Sequence, residues 1–297
     1  MRLTDPTATT VGIVLRRSPR QLAAEPFYGE LIGGIEEVLE PWGLQVLMQI
    51  VDGMPRELNS YRHWAKTGVV RAVVLVDLVA QDPRPALLAE LGLPGLILGE
   101  PDDGAPLPAL RTDGYRPIRD AVSRLAELGH RRIARVAGPA TFKHTLERTR
   151  GFIDATAELG IEPLLEEGDY SGESGAAATA RLLRADDAPT AIVYDNDTMA
   201  IAGLGAARDL GVEVPSRLSI LAWDDSQHCR LATPAVSAMS YDVHLRGQLA
   251  ARTLLEVLDG ATPGDTWSEP PVLVERGSTA PYDGTDAGAT LLEQMAE

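Results

Sequence analysis

Short, continuous apolar runs alternate with segments of helical periodicity along almost the whole chain. The runs at 11–15 and 191–194 are long enough for strands and show no polar alternation, which is typical of parallel strands covered on both faces. Between residues 26 and 42 apolar side chains recur every three or four positions, which predicts an amphipathic helix that ends before Gly43. Strands separated by such helices predict βαβ units, and therefore an α/β fold with mostly parallel sheets.

The number of βαβ units indicates two domains rather than one. The chain has 297 residues, against roughly 150 for a typical domain, and the second half repeats the strand-and-helix scheme of the first. We therefore expect two doubly wound parallel-sheet lobes. Open sheets of this type bind ligands beyond the carboxyl ends of their strands, so the residues that follow strands are the first candidates for a site.

Several classes of protein are excluded by features that the sequence lacks. No stretch approaches the ~20 apolar residues of a membrane-spanning helix, and the first ten residues contain no apolar signal-peptide core. The single cysteine, Cys229, rules out an internal disulfide and a cysteine-based zinc site. There is no GxxxxGK[ST], GxSxG or HExxH motif, and the five histidines lie far apart. We therefore expect no cofactor, no metal, no membrane partner and no enzymatic activity.

The charge of the chain separates it from ordinary nucleic-acid-binding proteins. It contains 43 acidic and 27 basic residues, which gives a formal net charge of -16. Binding to a phosphate backbone requires clustered Lys and Arg side chains. We therefore expect these 297 residues alone to show no DNA binding in a gel shift at physiological salt.

Four carboxylates follow two of the predicted strands, namely Asp195, Asp197, Asp224 and Asp225. Grouped at one sheet edge, they would suit acid–base or metal chemistry. Alternatively, Asp197 is a helix N-cap and Asp225 caps or turns a loop. Asp224 is the hardest to explain by capping, because it ends a buried strand directly at the expected ligand edge.

Arg148 and Asn196 are polar residues with two interpretations each. Arg148 lies near the start of a helix predicted at 145–159, where a cation is unfavourable, so it either has a partner or is an ordinary solvated side chain. Asn196 lies between a buried strand and a helix, where it either contacts a ligand or accommodates a tight turn.

These segments also carry a resemblance to a known family. Between about residues 10 and 281 the sequence resembles the effector domain of the lactose/galactose repressor (LacI/GalR) family, in an ordered set of motifs at the usual spacing. The motifs are LGHRRIA at 128–134 with AGP at 137–139, NDTMAIAG at 196–203, LGVEVPSRLSI at 210–220, WDD at 223–225 and RGST at 276–279. Each motif alone is weakly specific, whereas the ordered set is strongly specific.

The resemblance implies the fold of type I periplasmic binding proteins, with two doubly wound lobes joined by three crossovers and a ligand cleft between them. The N-terminal lobe would comprise 10–129 and 242–270, the C-terminal lobe 130–241 and 271–282, and the tails 1–9 and 283–297. A ligand that closes the lobes would change their relative orientation, and with it the orientation of DNA-binding heads in an intact repressor.

The resemblance also implies a set of ligand-binding residues by position. Asp224 would bind ligand hydroxyls, with Arg148 as a cationic clamp and Asn196 as a further polar contact. Asp113 matches a polar position of the first lobe, and Tyr170 matches an aromatic residue that stacks on the effector. Carboxylate, guanidinium and amide groups can hold adjacent hydroxyls in fixed geometry, while aromatic faces cover the apolar side of a sugar ring.

Phe27 and Tyr28 match residues at the mouth of the cleft, although their spacing also continues the apolar face of a helix. His144 departs from the family pattern, since it stands where a small hydroxyl residue is common. The Tyr194-Asp195 pair is a second departure, at a place where a small or apolar residue is usual. These departures leave the polar frame in place and leave the identity of the ligand open.

The function implied by the resemblance is the effector-sensing and dimerisation part of a cytoplasmic transcriptional regulator. Its partners would be a small-molecule effector, expected to be a carbohydrate, a second copy of the chain, and operator DNA through an N-terminal helix-turn-helix. Only ten residues precede the first strand here, so that head is either removed or absent. The alternative is a solute-binding protein of a sugar transporter, which shares the fold but would need a signal peptide or a lipoprotein cysteine.

Overall fold

The computed structural model describes residues 9–18 and 25–284 of the chain, so most of the two predicted tails lies outside the described residues. The described strands are β1 (Thr10–Leu15), β2 (Gln45–Ile50), β3 (Ala72–Leu75), β4 (Gly95–Leu98), β5 (Ala109–Arg111), β6 (Ile133–Ala137), β7 (Leu164–Glu167), β8 (Ala191–Tyr194), β9 (Ser219–Trp223), β10 (Ser237–Ser240), β11 (Thr266–Trp267) and β12 (Val272–Val274). The described helices are α1 (Pro26–Leu39), α2 (Met54–Thr67), α3 (Arg84–Glu90), α4 (Tyr115–Glu127), α5 (Lys143–Glu158), α6 (Gly172–Leu183), α7 (Asp197–Asp209), α8 (Gln227–Leu231) and α9 (Val243–Leu258), with a short 3-10 helix at Glu40–Trp42.

The strands form two six-stranded sheets of the same topology. The first has the order β11-β5-β4-β3-β1-β2 and is parallel, and the second has the order β12-β10-β9-β8-β6-β7, with β12 antiparallel to β10. In the first sheet β2 lies on one side of β1, and β3, β4 and β5 follow on the other side. In the second sheet β7 lies on one side of β6, and β8, β9 and β10 follow on the other side. The strand order therefore reverses beside β1 and beside β6. Such reversals are the switch points at which open α/β sheets bind ligands. The prediction of an α/β fold with two doubly wound parallel sheets is confirmed.

Alternate residues of the first sheet pack on its two faces. Ile13 and Val74 belong to a buried apolar cluster that also contains side chains of α1 and α9. On the other face, Val14 and Leu75 pack with Trp64 of α2. Because both faces are covered, the strands need apolar residues at every position, which explains their continuous apolar sequence.

The chain divides into two compact units. Among the described residues, the first unit comprises those up to 113 together with 141–146 and 241–270, and the second comprises 114–140, 147–240 and 271–284. This division corrects the predicted lobes at two places. Helix α4, predicted in the first lobe, belongs to the second unit, where Arg124 pairs with Glu275 at 2.9 Å. Residues 141–146, predicted in the second lobe, belong to the first unit, because the amide of Lys143 donates to the carbonyl of Leu78 at 2.9 Å.

Candidate functional site: two switch-point clusters

The switch point of the second unit is built on a buried ion pair. Asp195 directly follows β8, and its carboxylate accepts from Arg135 Nε at 2.8 Å and from Arg135 Nη2 at 2.7 Å. The amide of Gly138, which follows β6, donates to the same carboxylate at 2.9 Å. Arg135 and Asp195 are 0% and 1% exposed, so this bidentate pair is part of the interior of the unit.

The environment of Asp195 determines its protonation. Burial alone would raise the pKa of this carboxyl, but the guanidinium groups of Arg135 and Arg148 outweigh the loss of solvent, and the net pKa lies below its ordinary value. Asp195 is therefore an anion at neutral pH that ties β6 to β8. Such a group is unsuited to the acid–base role that was one interpretation of the sequence.

Arg148 lies in the second turn of α5 rather than at its N-terminus, and it has partners. Its Nη1 donates to the carbonyl of Asp195 at 3.1 Å, and its guanidinium carbon lies 3.9 Å from the centre of the Trp223 ring. Stacking on an indole face and a hydrogen bond to a fixed carbonyl orient the guanidinium group. This arrangement excludes the interpretation of Arg148 as an ordinary solvated side chain.

Asp224 follows Trp223 at the carboxyl end of β9, in an unusual backbone conformation. Its φ of 68° lies in the left-handed region, which non-glycine residues adopt at a cost that functional sites often carry. The next residue, Asp225, has a structural role, since Arg276 Nη2 donates to its carboxylate at 2.7 Å. We refer to Arg135, Arg148, Asp195, Trp223 and Asp224 as the second-unit cluster.

Asn196 and Tyr170 are connected through the backbone beside this cluster. Asn196 Oδ1 accepts from the amide of Met199 at 2.9 Å, and Asn196 Nδ2 donates to the carbonyl of Tyr170 at 3.0 Å. Tyr170 itself has a φ of 70°, and its ring lies against Gly138. Asn196 therefore caps helix α7 and holds the left-handed turn at Tyr170, while its predicted contact with a ligand stays a prediction.

The capping role of Asn196 corrects the prediction for Asp197. Asp197 is the first residue of α7 and is 3% exposed, while the side chain that accepts from the free amide of Met199 is that of Asn196. Burial raises the pKa of the Asp197 carboxyl, although a hydrogen bond from Ser226 opposes this shift. Among the described residues no group of three His, Cys, Asp or Glu side chains could hold a metal ion.

Gly138 allows the close approach of the Tyr170 ring. A Cβ atom at position 138 would lie 2.1 Å from Tyr170 Cζ and 2.2 Å from its Oη. We expect Gly138→Ala to lower the free energy of unfolding by about 1–2 kcal/mol, because the ring must leave a buried site. Gly205→Ala in α7 is the matched control, since nothing lies within 4 Å of its Cβ position and it should be neutral or stabilising. Urea denaturation of both variants tests this difference, and equal stabilities would contradict it.

The switch point of the first unit carries a second polar cluster. Asp77, which follows β3 after one residue, accepts from Arg17 Nη1 at 2.9 Å and from the hydroxyl of Tyr28 at 3.0 Å. The guanidinium carbons of Arg16 and Arg17 lie 5.5 and 5.2 Å from the centre of the Phe142 ring. We refer to Arg16, Arg17, Tyr28, Asp77 and Phe142 as the first-unit cluster.

The predicted residues of the first lobe differ in their relation to this cluster. Tyr28 is 4% exposed and packs in the apolar core, and its hydroxyl donates to Asp77, while its ligand role stays a prediction. Phe27 packs edge-on against Tyr28, with ring centres 5.1 Å apart, and against the same core. Asp113 follows β5, two strands away from the switch point, and is half-buried. The ligand roles of Phe27 and Asp113 stay predictions.

Sequence reasoning missed Arg16, Arg17, Asp77 and Trp223. Arg16 and Arg17 follow the first apolar run directly, and Asp77 follows the run at 69–76, so the rule that pointed to Asp224 applies to them equally. Trp223 was included in a strand as an apolar residue. Trp223 of β9 and Arg148 of α5 stack because the fold brings them together, and no sequence pattern reports such a contact.

Comparison with known proteins places the whole chain in one family. A family profile described as a periplasmic binding protein-like domain matches residues 122–279. The chain is 34% identical over 263 residues to the HTH-type transcriptional regulator CelR of Thermobifida fusca, and the alignment covers 85% of this chain and 76% of that protein. It is 29% identical over 267 residues to the HTH-type transcriptional regulator DegA of Bacillus subtilis, with 88% and 79% covered.

Solved structures agree with this assignment. A LacI family transcriptional regulator from Bifidobacterium animalis subsp. lactis has 36% sequence identity and a TM-score of 0.83, with 92% of this chain and 98% of that chain covered. The complex of the regulator CelR with cellobiose has 30% identity and a TM-score of 0.82, with 91% and 84% covered. These relatives are transcriptional regulators and not enzymes, as predicted for this chain. The chain therefore belongs to the LacI family of transcriptional regulators, and its two α/β units form the effector-binding domain of that family.

Proposed function

We propose that this chain senses a neutral carbohydrate and that Asp224 and Arg148 of the second-unit cluster bind its hydroxyl groups. The observation that carries the proposal is the guanidinium of Arg148, stacked on Trp223 beside the left-handed turn at Asp224. This places a fixed cation, an indole and a carboxylate at the carboxyl ends of β8 and β9, where an open α/β sheet binds its ligand.

Buried donors in this cluster favour a ligand rich in oxygen. In the part of the chain that the structure describes, Arg148 Nε and Trp223 Nε1 are buried and have no hydrogen-bond acceptor. A buried donor without an acceptor costs about 1–3 kcal/mol, and a ligand hydroxyl can accept from such a group.

The balance of charge favours a neutral ligand over a sugar phosphate. The second-unit cluster contains two arginines and two aspartates, so its formal charges cancel. In the first unit, the arginines at the switch point are matched by the carboxylates paired with them, namely Glu25, Glu57 and Asp77. A phosphate group would need uncompensated guanidinium or ammonium groups, which neither set supplies.

The relatives support a choice of first probe and of partners. The relative CelR has been solved with cellobiose, so cellobiose is the first sugar to test on this chain. The lac repressor, at 25% identity and a TM-score of 0.80, has been solved as a dimer bound to operator. We propose that this chain likewise acts in the cytoplasm as a homodimer, and that operator binding is carried by a helix-turn-helix outside the described residues.

Binding measurements on two variants test the site. Asp224→Ala and Arg148→Ala should each weaken the binding of cellobiose, or of another neutral sugar that the wild type binds, by about 1–3 kcal/mol in titration calorimetry. The reason is that each variant removes the protein group that bonds to a ligand hydroxyl and leaves that hydroxyl without a partner in the complex. Asp209→Ala and Arg181→Ala are matched controls, because these side chains are 79% and 54% exposed in the same unit.

Two results would contradict the proposal. If the wild type binds no neutral sugar or polyol at millimolar concentration, the ligand class is wrong. If it binds a sugar and both site variants bind equally well, the ligand class stands and the site is wrong.

A further inference from the structure

A buried network of charged side chains lies directly behind the first-unit cluster. Arg84 of α3 and Glu57 of α2 are 1% and 0% exposed, and Arg84 Nη1 donates to Glu57 Oε1 at 2.7 Å. The hydroxyl of Tyr61, also fully buried, donates to the same carboxylate at 2.5 Å. A fully buried ion pair is expensive to desolvate, and hydrophobic residues of the same volume would often serve stability as well. A buried pair of this kind is therefore weak evidence for a stabilising role, and its other contacts indicate what it does.

Arg84 holds the backbone at the switch point. Its Nη1 donates to the carbonyl of Val76 at 2.9 Å, and its Nη2 donates to the carbonyl of Asp77 at 3.0 Å. These consecutive carbonyls form the turn that carries the chain away from β3. At Asp77 the turn has a φ of 52°, in the left-handed region, so it depends on contacts that stabilise this conformation.

Asp82 completes the turn from the other side. Its carboxylate accepts from the amide of Val79 at 3.1 Å, from the amide of Arg84 at 3.0 Å, and from Arg84 Nη2 at 2.6 Å. Arg84 is therefore bonded both to the start of the turn, at Asp77, and to its end, at Asp82. Arg84 and Asp82 thus bond to both ends of the segment.

Glu57 transmits the same network to Arg16. Its Oε2 pairs with Arg16 Nε at 3.1 Å, and Arg16 Nη2 donates to the carbonyl of Asp77 at 2.7 Å. Arg16 is thereby held through two of its guanidinium nitrogens, Nε and Nη2. The network thus reaches two members of the first-unit cluster, Arg16 and Asp77.

We infer that Arg84 and Glu57 are positioning residues for ligand binding, which set the left-handed turn at Asp77 and the orientation of Arg16 without contacting the ligand themselves. The inference rests on the proposed function, since it assumes that the first-unit cluster takes part in sugar binding. A neutral pair of similar size can fill the same volume, but it cannot donate to the carbonyls of Val76 and Asp77. Stability and affinity should therefore respond differently to this change.

The test compares the single variant Arg84→Met with the double variant Arg84→Met/Glu57→Gln. The single variant leaves a buried carboxylate without its main partner and should lower the thermal midpoint strongly. The double variant also neutralises Glu57, whereas Asp82 keeps its charge and loses Arg84. The double variant should therefore recover part of that loss, while its affinity for cellobiose stays at least tenfold below that of the wild type. Leu88→Ala, on the same helix and fully buried, is the control, because it destabilises the unit but should bind cellobiose normally.

A ligand-free measurement separates this inference from the proposed function. Hydrogen exchange of the backbone amides at 76–82 should be at least tenfold faster in the double variant and unchanged in Leu88→Ala. Recovery of both stability and affinity in the double variant, or unchanged exchange at 76–82, would overturn the inference. If the wild type binds no sugar, the proposed function fails, and the exchange measurement alone decides whether Arg84 and Glu57 position this turn.

Discussion

Replacing Arg135 by methionine is expected to lower the free energy of unfolding by about 3–5 kcal/mol, the usual cost of removing one partner of a buried ion pair. Arg135 is 0% exposed and makes two hydrogen bonds to the Asp195 carboxylate. In the variant this buried carboxylate loses both of them and keeps the hydrogen bond from the Gly138 amide. Methionine has a similar length, and the loss therefore reports the charge rather than a cavity. Urea denaturation at pH 7 measures the change.

The same pair predicts a pH dependence with a definite sign. The pKa of Asp195 in the folded protein is below its ordinary value, so the pair stabilises the protein above about pH 4, and this contribution is lost as the pH falls through the folded pKa. In Arg135→Met the carboxyl no longer has its main cation and is protonated more readily. The difference in stability between wild type and variant should therefore be largest at neutral pH and should shrink as the pH falls and the carboxyl of the variant takes up a proton.

Two comparisons make the Arg135 prediction specific. The double variant Arg135→Met/Asp195→Asn should recover most of the lost stability, since no uncompensated charge remains. Arg181→Met breaks an exposed pair with Glu166, with side chains 54% and 27% exposed, and should cost less than about 1 kcal/mol. A loss in Arg135→Met that is no larger than that in Arg181→Met would show that the buried pair does not stabilise the second unit.

The fold was predictable because a periodic pattern reports local structure. Runs such as 11–15 and 191–194 are read directly as covered strands, and the helices between them imply parallel pairing. The strand β10 (Ser237–Ser240) was not predicted, because its sequence SAMS has neither alternation nor a continuous apolar run. Helices α3 and α8 were missed for a related reason, since seven and five residues are too few to display helical periodicity.

The site was predictable only in part, because tertiary contacts decide which role each of its polar residues has. Asn196 and Asp197 are both good capping residues, and only the structure shows that the amide of Met199 bonds to Asn196. The family motifs are informative for another reason. His130 of the LGHRRIA motif bonds to Thr190 at 2.9 Å and to the carbonyl of Ala280 at 3.2 Å. It therefore holds the segment at Ala280 in place rather than a ligand. This motif therefore identifies the fold rather than the ligand.

Gly34→Ala is expected to destabilise the first unit by about 3 kcal/mol or more, at or above the upper end of the usual cost of overpacking. A Cβ atom at Gly34 in α1 would lie 2.0 Å from the carbonyl oxygen of His244 and 3.2 Å from the amide nitrogen of Gln248, both in α9. These are backbone atoms, so a change of rotamer cannot relieve the clash and the two helices must separate. Separation exposes apolar residues of the cluster that α1 and α9 share with the first sheet.

The adjacent residue supplies the control for that prediction. A Cβ atom at Gly33 would meet the ring of His244, with Nδ1 at 3.6 Å and Cε1 at 3.7 Å, which are ordinary contact distances. Alanine is also favoured over glycine inside a helix by about 1 kcal/mol. Gly33→Ala should therefore be neutral or stabilising. Both variants gain the same helix propensity, so this gain cancels when they are compared. The difference between the two in urea denaturation measures the close approach of the helices alone. Equal stabilities would mean that the backbone contact at Gly34 does not exist in solution.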